Sequence, residues 1–256
     1  MVSTSSEGAR MPVVKCSSCC SRPCSPIYPP YKGMSSALQA LIQFLINTAG
    51  EIGALRTPGR AILYHLFYSG EAMTTALLVI DMQNFVTDRI NQGVDMFPHN
   101  AIDNMHTVLG TFRNSLNPII HIRHHSTDVG SSLHPDSPLS QPVKGFEEKP
   151  GEPVFVKNTS SAFSSTPLLA YLNNHQITRC IVMGAVAGFC VTSTVRSGAD
   201  AGLNMTVIED AVISFALKEG MPEAKTILDV TLALLAADFA TVIPTKRLSE
   251  HLSGKE

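Results

Sequence analysis

The sequence predicts an α/β protein built on a parallel, doubly wound sheet, and two observations carry that prediction. Six short apolar, β-branched runs recur after residue 73: Ala76–Ile80, Pro118–Ile122, Pro153–Val156, Arg179–Met183, Met205–Ile208 and Ala240–Ile243. Near-continuous apolar strands belong to sheets buried on both faces, because a one-sided sheet alternates apolar with polar residues. Helix-length segments separate them with short connections, the alternation that lays helices on both sides of parallel strands.

The helices follow in order. Asn100–Asn114 is amphipathic. Thr166–Asn174 reads as a helix with Thr166 as N-cap and Pro167 at its first position, where the missing N–H is harmless. Cys190–Ala201 is rich in small residues and is expected to open a helix at Cys190. Met221–Ala237 carries Leu228, Leu232 and Leu235 at helical spacing, and either covers the core or offers a face to a second copy. One stretch, Ile122 to Glu152, breaks the alternation with His124, His125, four prolines and Gly145. A loop this long in a compact domain is usually functional or disordered. Following a strand's carboxyl end, it reads as pocket wall.

Composition sets the organisation and excludes several classes. Residues 74–256 form the predicted domain, and residues 1–73 an extension of different character. Positions 1–34 are rich in Ser, Pro, Cys and Gly and bury too little apolar surface to order themselves. Residues 36–48 form either a docking helix or a marginal segment. The net charge of −2, with acids and bases mixed along 256 residues, leaves no basic footprint for nucleic acid or for a membrane surface. No run approaches the roughly 18 apolar residues of a membrane span.

Six cysteines divide unevenly: Cys16, Cys19, Cys20 and Cys24 crowd together, while Cys180 and Cys190 sit in apolar, periodic sequence. A secreted disulfide scaffold spreads its cysteines, so a reducing compartment, the cytoplasm, is expected. The start lacks a basic-then-apolar signal-peptide pattern, though an acid-poor, Ser-rich beginning is compatible with organellar targeting. The compact Cys16–Cys24 cluster lacks a second ligand pair at zinc-finger spacing.

Three strand ends carry one polar residue each. Asp81 closes Ala-Leu-Leu-Val-Ile-Asp, Lys157 closes Pro-Val-Phe-Val-Lys, and Cys190 follows Ile-Val-Met-Gly-Ala-Val-Ala-Gly-Phe. Carboxyl ends of neighbouring parallel strands share one sheet edge, so the fold gathers a carboxylate, an ammonium and a thiol. A thiol at a helix start beside a lysine is expected to have a lowered pKa. A nearby carboxylate takes its proton and returns it to a leaving group. Gly184, Ala185, Ala187 and Gly188 let backbone approach a substrate carbonyl and supply oxyanion donors. On spacing alone the bland alternatives stand: a buried Cys is often a small hydrophobe, an Asp after a strand a cap, and a Lys there a surface charge. Cys180, at a strand entry, lies on the wrong edge for chemistry.

These residues fall in motifs that resemble the isochorismatase-like cysteine hydrolases. The resembling segments are Leu78-Val79-Ile80-Asp81-Met82-Gln83-Asn84-Phe85, then Gly151 to Phe163, then Gly184 to Asp210, and the closing Leu235 to Val242, in the family's order. The resemblance covers about residues 74–252 and implies a Rossmann-like three-layer α/β/α sandwich with a six-stranded parallel sheet. It implies Cys190 as nucleophile, Asp81 as proton acceptor and Lys157 as the charge that orients both. It further implies a cis peptide at Ala185–Val186, turning the Val186 and Cys190 amides toward an oxyanion. Gln83, Phe85 and Phe163 are the implied substrate contacts, with core packing the alternative for both aromatics. Family members are usually dimers or larger, so a homo-oligomer is expected.

Two departures narrow the function. Ala187-Gly188 stands where the family commonly has Thr followed by Asp or Asn, which removes polar contacts near the nucleophile. The Asp-x-His pattern of the metal-binding nicotinamidase branch is missing, so no metal or other cofactor is expected, and His124, His125 and His134 read as loop histidines. The expected activity is metal-independent hydrolysis of a small-molecule amide or related C–N bond. Vinyl ether hydrolysis of the isochorismatase type, or a non-catalytic binding member, are the alternatives.

Overall fold

The computed structural model describes residues 74–218 and 221–254. The extension 1–73, its helix 36–48 and Cys16, Cys19, Cys20 and Cys24 lie outside the described residues. Strands β1 (Thr74–Ile80), β2 (Met96–Phe97), β3 (Ile119–His124), β4 (Val154–Lys157), β5 (Ile177–Ala185), β6 (Asn204–Phe215) and β7 (Thr241–Ile243) form one sheet. Helices α1 (Asn84–Asn91), α2 (Ala101–Arg113), α3 (Leu168–Asn174), α4 (Thr192–Asp200), α5 (Ala224–Asp238) and α6 (Leu248–Leu252) cover it.

The sheet order is β2-β6-β5-β1-β3-β4, with β7 also beside β6. The six apolar runs are the six parallel strands. The seventh strand, the two-residue β2, pairs antiparallel with the far end of β6. It is too short to show a period, which is why no pattern announces it. Strand β6 runs well past Ile208 because its pairing with β5 jumps from Val182↔Val207 to Gly184↔Val212 across a bulge. The charged Asp210 in that bulge is satisfied: its carboxylate accepts from the Thr245 backbone and hydroxyl at 2.8 and 2.7 Å.

Both faces are buried, as the continuous apolar strands demand. Within β1, Leu77 and Val79 pack on one face with Met105, Val108 and Phe112 of α2. Ala76, Leu78 and Ile80 pack on the other with Leu168 and Leu172 of α3, Val195 of α4 and Leu228 of α5. Helix α3 starts one residue later than the capping pattern suggests, because Pro167 takes the cap position. The Thr166 hydroxyl still accepts from the Leu168 N–H at 3.1 Å. Helix α5 begins at Ala224 rather than Met221 and buries Ala224, Leu228 and Leu235, while Val230 and Leu234 remain exposed. Among the described residues no helix is long and apolar enough to cross a membrane.

Candidate active site

Four adjacent strands, β5, β1, β3 and β4, end on one edge, and each delivers a polar side chain there. Asp81 follows β1 with φ +49°, a left-handed backbone that a non-glycine residue adopts only where its surroundings compel it. Lys157 is the last residue of β4 and is completely buried. Cys190 lies in a π-helical turn, Ala187–Val191, that runs directly into α4. The expected helix start is therefore present, three residues earlier than the thiol. The fourth side chain is His124, the last residue of β3 and the register partner of Lys157.

The Lys157 ammonium is the hub. Its Nζ donates to Asp81 Oδ2 at 2.8 Å, to Cys190 Sγ at 3.1 Å and to His124 Nδ1 at 2.9 Å. An ammonium has only donors, so His124 Nδ1 must accept, and the neutral ring carries its proton on Nε2. Burial, then Lys157 and His125, pushes the His124 pKa down to about 4, in keeping with a neutral ring. Cys190 Sγ lies 3.9 Å from the same Nδ1.

The thiol is not acidified. Burial and the neighbouring Asp81 push its pKa up to about 12, against the pull of Lys157. Burial likewise raises Asp81, with Lys157 opposing. For Cys190 the direction is opposite to the lowered pKa expected from the helix start: burial disfavours the thiolate, and one cation faces two acids. A single ammonium neutralises one anion, so carboxylate and thiol share one proton between them. Asp81 Oδ1 is buried with no hydrogen-bond partner and is the unengaged acceptor of the cluster.

Asp81, His124 and Cys190 also bring a carboxylate oxygen, a ring nitrogen and a sulfur within 4.8 Å of one another, donors that zinc accepts. The fixed ammonium sits among these three donors, at 2.8, 2.9 and 3.1 Å, and fills the point an ion would need.

Several expected contributors fall elsewhere. Gln83 does not face a ligand: it is fully buried, its amide donating to the carbonyls of His124 at 3.0 Å and Ser140 at 2.6 Å and accepting from the His124 N–H at 2.8 Å. It grips His124 by both backbone groups and ties the long loop to β3. Phe163 packs into the core near Gly198 on the α3–α4 face and lines neither crevice of the site. Gly184 serves the sheet rather than a substrate, since at φ +126° a Cβ there would stand 2.1 Å from the Ile80 carbonyl oxygen. Phe85 does line a crevice, of about 340 Å³, together with Val186 and Phe189. A second crevice of about 420 Å³ holds His125, His134, Lys157 and Ser165, so the long loop does form pocket wall. The Ala185–Val186 peptide is cis. His124 was legible only as the end of Ile-Ile-His-Ile-Arg-His, a run whose last residue looks like loop.

The profile of the Isochorismatase domain matches residues 75–244. The isochorismatase family protein YddQ of Bacillus subtilis is 29% identical over 180 residues, covering 68% of this chain and 98% of that protein. A solved isochorismatase from Pseudomonas putida is 31% identical with a TM-score of 0.61, covering 68% of this chain and 89% of that one. An isochorismatase-family structure from Chromobacterium violaceum is 27% identical with a TM-score of 0.66, covering 72% and 96%.

Proposed function

The chain belongs to the isochorismatase family of hydrolases, and from that premise we propose that it hydrolyses a C–N bond of a small amide through a covalent Cys190 thioester, without a metal. The observation that carries this is the Lys157 ammonium bonded at once to Asp81 and Cys190 in a buried site with one unengaged carboxylate oxygen.

The resting site holds Cys190 as thiol and Asp81 as carboxylate. As the sulfur attacks the amide carbon, its proton passes to Asp81 and the C–S bond forms. Lys157 stays within reach of both groups while the proton passes to Asp81, and the negative charge moves from the carboxylate to the substrate oxygen as the C–S bond forms. The Val186 and Cys190 amides are our oxyanion donors. Asp81 then gives the proton to the departing nitrogen and the C–N bond breaks, releasing ammonia or an amine. Water attacks the thioester, its proton returns through Asp81 to the sulfur, and the carboxylic acid leaves. A raised thiol pKa suits this course, because proton transfer accompanies attack instead of preceding it. His124 accepts the third ammonium N–H and keeps the other two on Asp81 and Cys190.

We further read the protein as a homo-oligomer in a reducing compartment acting on a small molecule; exposed Val230 and Leu234, one helical turn apart on α5, support the first. The test of the function is ammonia release over a panel of small amides by wild type and Cys190→Ala. Turnover in wild type that disappears in the variant is the expected result, and turnover that survives overturns the mechanism.

A further inference from the structure

We propose that the crevice beside the Val186–Phe189 turn is an anion subsite in which Arg89 receives a carboxylate, so that the preferred substrates are small amides bearing an acid group. The inference rests on the reading of Cys190 as nucleophile and adds to it the substrate's charge.

Arg89 lies on α1 and lines the crevice of about 340 Å³ with Phe85, Val186, Phe189 and Phe215. Val186 and Phe189 belong to the segment that carries Cys190, so the crevice borders the turn that holds the nucleophile. The guanidinium is held in place by two contacts. Its Nη2 donates to the Ala216 carbonyl at 3.3 Å, and its carbon stands 4.8 Å over the Phe215 ring. Its Nε is buried without any hydrogen-bond partner.

Other arginines here show what such a group normally does: Arg113, Arg123 and Arg247 pair with Glu152, Glu148 and Glu250. Arg89 has no ion pair among the described residues. Its neighbour Asp88 also lines the crevice, but the Asp88 carboxylate accepts from Gln92 Nε2 at 2.7 Å. A positioned guanidinium without an ion pair, lining a crevice walled by aromatic rings, is the arrangement that receives a carboxylate.

The experiment measures protection of Cys190 from iodoacetamide, which needs binding but no turnover. The probes are malonamate, succinamate and glutaramate against the uncharged acetamide, propionamide and butyramide. At least one carboxylated amide is expected to protect wild type at concentrations about 10-fold or more below its uncharged counterpart, the factor of one good charged contact. Arg89→Gln is expected to erase that difference and leave protection by the uncharged amides unchanged. Arg89→Lys, which keeps the charge but not the fork, falls between them and serves where the Gln variant does not fold. Equal protection by charged and uncharged amides in wild type, or a preference that survives Arg89→Gln, overturns the subsite. Failure of the hydrolase reading is separate: it shows as absent ammonia release with the preference intact.

Discussion

Two ionic clusters, one partly buried and one buried, lie on the same pair of strands and behave in opposite ways. Near the start of β4, Glu152 takes Arg113 Nε and Nη2, His121 Nε2 and the Lys149 N–H, each at 2.9 Å. At the other end, in register His124↔Lys157, the same kinds of group meet: a histidine, a cation and a carboxylate, joined by a thiol. Burial pushes Glu152 up, but the hydrogen bonds win and hold its pKa at about 2. Burial wins at Asp81 and Cys190, whose affinities for protons are raised. Two things differ: Asp81 is buried where Glu152 is only partly so, and their oxygens are satisfied to different degrees. Both carboxylate oxygens of Glu152 have donors, whereas Asp81 Oδ1 has none. A fully paired cluster fastens β3, β4 and α2 together; an incompletely paired one retains a proton that chemistry can move.

That contrast can be broken experimentally, most severely at the thiol. Cys190→Ala should lower turnover by about 10⁴-fold or more, the loss seen when an acting nucleophile is removed, while the urea midpoint stays at the wild-type value. Lys157→Met comes next. It strands a buried carboxylate, and urea unfolding at neutral pH should show a loss of about 3–5 kcal/mol. A variant as stable as wild type would mean the ammonium is not neutralising the site.

Glu152→Gln should cost less, about 1–3 kcal/mol for imperfectly satisfied Arg113 and His121, with turnover unchanged. Its pH signature has a definite sign. Glu152 has a folded pKa of about 2 against an ordinary 4.5, so its stabilisation is present above about pH 4.5 and is lost as pH falls toward 2. The Gln variant should therefore show a flatter acid limb in thermal melts across that window. A variant with the wild-type acid limb would show that the pairing contributes nothing.

The smallest effect sharpens the other side. With Cys190 at about 12, its alkylation rate should keep climbing through the alkaline range, where an ordinary thiol levels off above its pKa of about 8.5. A plateau near neutrality would restore the acidified thiol that the helix-start argument predicts.

Much of this was legible in the chain itself. Asp81, Lys157 and Cys190 each stand where an apolar run ends, and a parallel sheet places such ends together. The six parallel strands were readable because burial on both faces demands unbroken apolar residues, a pattern that needs no partner to be seen. His124 was not readable, since Arg123-His124-His125 looks like the start of a loop and only the register with Lys157 makes it part of the site. The family resemblance implied Gln83 as a substrate contact. Its partners, the backbone of His124 and Ser140, are 41 and 57 residues away in sequence.

Local periodicity and strand-end chemistry thus determined the α/β class, the sheet edge and three of the four clustered side chains. Tertiary structure alone decided which polar atoms found partners. The raised thiol pKa, the neutral His124 and the vacant Nε of Arg89 all depend on how much water the packed fold removes and how many donors it leaves. Desolvation and pairing are sums over neighbours brought from distant parts of the chain, and no local stretch of sequence contains them.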